Sequence, residues 1–341
     1  DQWYVLDKWL DMLPESFIPT RPGLLMARTW GLSFRFLFEE VFEKLVQIEN
    51  LCGNGEEFNS ILGEVAFFRG NILFFMGEGD ACLKHLETAL EKIPLSYFEA
   101  RAQSEIIYAL SNQMVGRKDY AISFLDDLFA NPHPSNDLRT GRLLPTYVFI
   151  HITAGDFVNA TKANEKLFKA VKDRLAYSEA WSIYLQGVIH LYEFDLNEAT
   201  KKLQQSVKQR YIHYARAAVD SICALMLAHQ AMGNEEGANQ ALKTLREFIA
   251  PLHDPAYDTI LQTAEIRLYL LQGRLEEAES KRKGVTYPPA EPIMIWWIEI
   301  PSISYCRALI AEGSTDSLSE AGTKLDVLLK QCLNNHNTFH L

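Results

Sequence analysis

The chain has 341 residues, 48% of them hydrophobic, and its 44 acidic against 33 basic side chains leave a formal net charge of −11. That composition can fill a large core, but it argues against nucleic acid as a direct partner, since phosphate binding depends on clustered Lys and Arg and no basic run of five or more occurs in the sequence. It also excludes a membrane helix, because the most apolar run, Ile293 to Ile303, is short and contains Glu299 and Pro301.

Taken in chain order, residues 1–20 carry a Trp/Leu pattern (Trp3, Leu6, Trp9, Leu10, Leu13) closed by Pro14, which predicts a short amphipathic helix that caps or links the rest of the chain. Its opening, Asp-Gln-Trp-Tyr, holds neither an initiator Met nor a signal peptide and reads as an internal fragment of a longer protein. Five cysteines, Cys52, Cys82, Cys223, Cys306 and Cys332, are odd in number and far apart, so they read as reduced, packed thiols of a cytoplasmic protein.

From residue 21 to 283 the chain repeats itself. A turn residue and a small residue five positions on recur as Gly77/Cys82, Gly116/Ala121, Gly155/Ala160, Phe194/Ala199, Gly233/Ala238 and Gly273/Ala278, at steps of 39 residues and finally 40. Counting back 39 from Gly77 reaches Phe38, in a degenerate first pair. Self-similarity at this period is the signature of a solenoid of helix pairs, and Gly70, Gly77, Cys82, Leu86, Ala89 and Pro94 come nearest to a tetratricopeptide (TPR) consensus. First helices are predicted around 98–114, 138–153, 177–193, 211–231 and 256–272, with Asn131-Pro132-His133-Pro134 as one connecting loop. Residues 284–295 form a Pro-rich loop around Pro288, Pro289 and Pro292, and 296–341 form a last, truncated repeat whose cut end would expose apolar surface for self-association. The expected architecture is one all-α domain over 1–341, a right-handed superhelix of about eight TPR-like helix pairs with a 39–40-residue period.

Three stretches carry a family resemblance. Trp9-Leu10-Asp11-Met12-Leu13-Pro14 with Arg21-Pro22-Gly23-Leu24-Leu25 comes first, then Ala264 through Gly273-Arg274-Leu275-Glu276-Glu277-Ala278, then Tyr305 through Gly313 with Lys324-Leu325 and Leu328-Leu329. Together they resemble the helical-repeat sensor region of MalT-like, large ATP-dependent LuxR-type transcriptional activators. The resemblance implies a module of transcription regulation that binds a small-molecule inducer and signals to flanking NTPase and DNA-binding domains of the same protein. It implies no cofactor in this chain, with ATP held by a missing N-terminal domain, and no G-x-x-x-x-G-K-[ST] loop is present to bind it here.

Other chemistry is weakly signalled. Gly77-Glu78-Gly79 lacks the third glycine and the preceding strand of a dinucleotide fingerprint, and nine scattered histidines form no H-E-x-x-H or Cys/His cluster, so neither a metal site nor an enzyme is expected. A groove is the better candidate. Positions thirteen, ten and six residues before the turn residues are polar or aromatic: Glu64 and Asn71, Gln103, Arg142 and Phe149, Trp181 and Tyr184, Asp220, and Arg267. Stacked first helices would bring these onto one concave wall suited to a sugar or another small polar metabolite. The competing readings are inter-repeat packing for the aromatic residues and, for the wall as a whole, a protein-interaction scaffold that takes a peptide or helix.

Overall fold

In a computed structural model, which describes residues 3–14, 16–34, 37–53, 55–130, 137–285 and 293–341, all regular structure among the described residues is helical. The chain divides into two compact units, residues 1–146 and 147–341. In the first, α1 (Trp3–Asp11) packs on the pair α2 (Pro22–Phe34) and α3 (Phe38–Cys52). It is followed by α4 (Asn59–Phe75) with α5 (Gly79–Lys92), α6 (Phe98–Met114) with α7 (Lys118–Ala130), and the start of α8 (Asp137–Thr153). The division falls beside Pro145 inside α8, where the helix lacks one N–H for its own ladder.

The second unit continues from α8 into α9 (Phe157–Val171), then α10 (Ala176–Tyr192) with α11 (Leu196–Lys208) and α12 (Ala215–Ala231) with α13 (Glu235–Ile249). It ends with α14 (Pro255–Leu271) and α15 (Leu275–Lys283), and with α16 (Pro301–Glu312) and α17 (Thr315–Asn334). From α9 onward each helix packs on its sequence neighbour, and the first helices α10, α12 and α14 also touch in series, so this is a solenoid of helix pairs of TPR-like kind.

One local device builds six of the pairs, from α4–α5 to α14–α15; Phe38, the counted-back position of the first pair, does not take positive φ. The turn residue takes positive φ at Gly77, Gly116, Gly155, Phe194, Gly233 and Gly273. The next N–H then reaches back five residues, as in Asp156 to the His151 carbonyl at 2.8 Å and Arg117 to that of Asn112 at 2.7 Å, which stops the first helix in a Schellman turn. In three repeats the same residue starts the second helix: Asp156, Asp195 and Asn234 accept a hydrogen bond from the backbone N–H of Asn159, Glu198 and Gly237. Five residues past the turn, Cys82, Ala121, Ala160, Ala199, Ala238 and Ala278 are all buried, where a larger side chain would hold the two helices apart. The five cysteines are buried and free.

The predicted first helices match to within a residue or so, with one exception. α12 begins at Ala215 rather than at 211, because His213 turns inward in the preceding loop. Its ring lies 6.0 Å from that of Trp181 and 6.1 Å from that of Tyr184, and its Nε2 meets the Ser206 hydroxyl at 3.1 Å. A second departure lies before α16. Residues 293–300, partly within the stretch expected to form the last repeat, are not helical, and α17 runs from Thr315. The C-terminal turn Thr338–His340 returns to the start of this unit, where Phe339 packs on Tyr192 at 4.3 Å between ring centroids. The loop at 131–134 and most of the Pro-rich loop lie outside the described residues.

These contacts set the stability of three variants. Phe194 is the turn residue that is not glycine, with φ of 62° and a 74% exposed ring, so Phe194→Gly relieves left-handed strain and raises stability by about 1 kcal/mol, measured by urea unfolding. A Cβ on Gly187 would lie 2.7 Å from the Leu203 side chain at the α10–α11 crossing, so Gly187→Ala lowers stability by about 1–3 kcal/mol in the same assay. Burial lowers His213 and His340 from 6.5 to about 4, so below pH 6.5 the unfolded chain binds protons that the folded chain refuses. Each site then removes about 1 kcal/mol between pH 6.5 and about pH 5.5, and His213→Gln halves that loss in urea midpoints taken across the window.

Candidate functional site

The nine predicted groove positions fall on first helices, four in one unit and five in the other. In the first unit, Glu64 and Asn71 are buried on α4, and the Glu64 carboxylate accepts from Trp30 Nε1 at 2.6 Å while burial pushes its pKa up. Gln103 is half-buried on α6, and Arg142 on α8 pairs with Glu99 at 3.0 Å. A buried carboxylate not among the nine, Glu105, is held beside them by Arg139 at 2.6 Å and Arg101 at 2.9 Å.

In the second unit Phe149, Trp181, Tyr184, Asp220 and Arg267 converge from α8, α10, α12 and α14. What they converge on is the chain's own non-helical strap. Trp296 is 1% exposed; its ring lies 4.7 Å from that of Phe149, and its Nε1 donates to the Tyr184 hydroxyl at 3.3 Å. Trp181 packs behind these two partners, 5.0 Å from Phe149 and edge to face and 5.8 Å from Tyr184, which completes an aromatic box.

Beside the box sits a clamp on the main chain. Asp220 Oδ1 accepts from the Ile298 N–H at 2.9 Å and the Glu299 N–H at 3.4 Å, while the Tyr184 hydroxyl donates to Oδ2 at 2.6 Å. Arg216, one helical turn before Asp220, donates to Asp220 at 3.1 Å and to the Glu299 carbonyl at 2.8 Å, and its guanidinium covers the Trp297 ring at 4.6 Å. Arg267 donates to the Ile298 carbonyl at 2.7 Å and to the Glu299 carboxylate at 3.2 Å.

The electrostatics follow from burial. Asp220 is 0% exposed, so desolvation raises its pKa, while Arg216, Tyr184 and the two amides pull it back. The Tyr184 phenol is held far above its ordinary value, first by burial and then by the neighbouring Asp220 charge, so it serves as a donor. The Ser206–His213 pair is buried, and His213 Nδ1 finds no partner to orient it. No group of His, Cys, Asp and Glu arranged for a metal occurs among the described residues. Two surface hollows of about 510 and 520 Å³, one lined by Gln262, Tyr269 and Lys281 and the other by Glu49, Arg69 and His85, contain none of the nine positions.

Arg216, Trp296, Trp297 and Glu299 are missing from the predicted set. Arg216 and Asp220 stand four apart in the otherwise apolar, alanine-rich α12, a pairing visible in sequence. Glu299 likewise interrupts the most apolar run of the chain. Nothing local, however, pairs residue 296 with 184 or 298 with 220.

No family model matches the chain, and no curated protein does. A solved structure does: a Rap protein complexed with competence and sporulation factor, similar over 97% of this chain and 97% of that one, with a TM-score of 0.55 and 15% sequence identity. The likeness establishes the fold. It also corrects the resemblance to MalT-like LuxR-type activators and, with it, the sensor role in transcription regulation, because nearly the whole chain takes the fold of a protein of another kind. The motifs behind that resemblance are requirements of any helix-pair array: Gly273 is a positive-φ turn, and Ala278 is buried between Ile266 and Ala308. The small-molecule inducer and the flanking NTPase and DNA-binding domains fall with it, and in the second unit the wall expected to hold a sugar is filled by Trp296, Ile298 and Glu299.

Proposed function

We propose that the chain is a helical-repeat scaffold that binds a peptide segment of a partner protein along its first helices. One observation carries this reading: side chains from two successive first helices, Arg216 and Asp220 of α12 and Arg267 of α14, already bind the N–H and C=O groups of a non-helical segment. Main-chain hydrogen bonds of that kind supply affinity without regard to sequence, and a side-chain box beside them supplies specificity. The Rap protein of similar fold, solved in complex with competence and sporulation factor, agrees with a binding role for this architecture.

Within this reading, Phe149, Trp181, Tyr184, Asp220 and Arg267 contact the peptide. Glu64, Asn71, Gln103 and Arg142 are the matching positions of the first unit, and the 1–341 domain is read as a right-handed superhelix of about eight TPR-like helix pairs with a 39–40-residue period. Panning a random peptide-display library against the full chain tests the proposal. The expected result is enrichment of peptides whose affinity drops about tenfold or more in Arg267→Ala, as loss of a charged hydrogen bond to a main-chain carbonyl entails. No enrichment, or peptides indifferent to that substitution, would remove the reading.

A further inference from the structure

The strap is bound as a ligand is bound. Between Ile293 and Glu299 the described backbone makes no main-chain to main-chain hydrogen bond. Its peptide groups are instead satisfied by side chains distant in sequence: Asp220 takes two consecutive amides, while Arg216 and Arg267 supply two consecutive carbonyls. Its one large side chain in the box, Trp296, meets Phe149 and Tyr184, and Trp181 packs behind both of them. Three residues later the Glu299 carboxylate meets Arg267 through Oε2, and its Oε1 is buried without a partner.

The unmatched oxygen favours exchange. A buried carboxylate oxygen without a donor costs free energy, so the resident segment is held by good main-chain contacts and one imperfect side-chain contact. A competitor that makes the same main-chain bonds and satisfies its acid better can replace it.

Building on the scaffold reading, we propose that residues 296–299 are the internal occupant of a peptide cleft. The cleft's external ligand is a peptide that presents a bulky aromatic side chain and, three residues on, a carboxylate. Such a peptide enters the Phe149–Trp181–Tyr184 box with its aromatic ring, takes the Asp220 and Arg216 bonds along its backbone, and sets its acid on Arg267. The strap competes at the effective concentration of a tethered segment, roughly millimolar, so apparent affinity in the intact chain is reduced by the fraction of clefts that stand open. Weakening the strap therefore raises affinity for the external peptide, the opposite of what damage to a binding site does.

The probe is a synthetic peptide of the strap's own sequence, residues 293–300, with a solubilising lysine tail, titrated by calorimetry into the full chain and into two strap variants. Trp296→Ala empties the box. Glu299→Gln weakens the Arg267 contact at constant shape and stands in if the first variant folds poorly. The expected result is binding to the variants at least about tenfold tighter than to the parent, as an open fraction of one tenth or less requires. In the parent, saturating peptide should speed hydrogen exchange at the Ile298 and Glu299 amides. Equal affinity in all three chains, or no binding to either folded variant together with unchanged exchange at the two amides, would overturn the proposal. Library peptides that bind parent and variants alike, yet weaken in Arg267→Ala, would remove the internal occupant and leave the scaffold standing. Failure of all three chains to retain any peptide would remove the scaffold itself.

Discussion

A carboxylate sealed from water must be given donors, and in the second unit that requirement falls on Asp220. It is met by a phenol from the preceding first helix, α10, a guanidinium one turn earlier on its own helix, and two amides from a segment nearly eighty residues away. Two helices, α10 and α12, and the strap are thereby held to one another by a single side chain. Burying charge in this way is costly, and removing one member of such a set typically loses about 3–5 kcal/mol because the remainder stays buried and unmatched. The arrangement specifies one register for the strap, since moving it by a residue would break the paired amide and carbonyl contacts together.

The repeat was legible because its causes are local. A positive-φ residue, the N–H that reaches back five positions and the small residue on the next helix all lie within ten residues, as from His151 to Ala160, and each restricts residue type. Phe194 shows how strong the periodic signal is: the spacing placed a left-handed turn there although an aromatic side chain occupies it. The start of α12 was less readable. Tyr211, Ile212 and Tyr214 look like helix-facing residues, and only the tertiary pull of Ser206, Trp181 and Tyr184 on His213 makes that stretch a loop.

The binding positions were half legible for the same reason. Counting back from the turns found the residues that face the strap, because stacking places equivalent positions in line. It did not find the strap, since the partners of Trp296 and Ile298 are 112 and 78 residues away and no periodicity links them. Trp, Tyr, Asp and Arg are equally suited to a sugar ring and to a peptide main chain, so their residue types alone did not show that, in the second unit, they hold the chain's own Ile298 and Glu299.

The buried thiols give the two units distinguishable chemical clocks. Burial lifts Cys82 to about 11, and Cys223 well above its ordinary value, so neither offers thiolate to an alkylating reagent while its surroundings stay closed. Cys82 lies in the first unit and Cys223 in the second, on the same helix as Asp220 and under its influence. Site-resolved alkylation rates, followed by mass spectrometry of the fragments, therefore report how often each unit opens, and whether α12 loosens independently of the helices around Cys82.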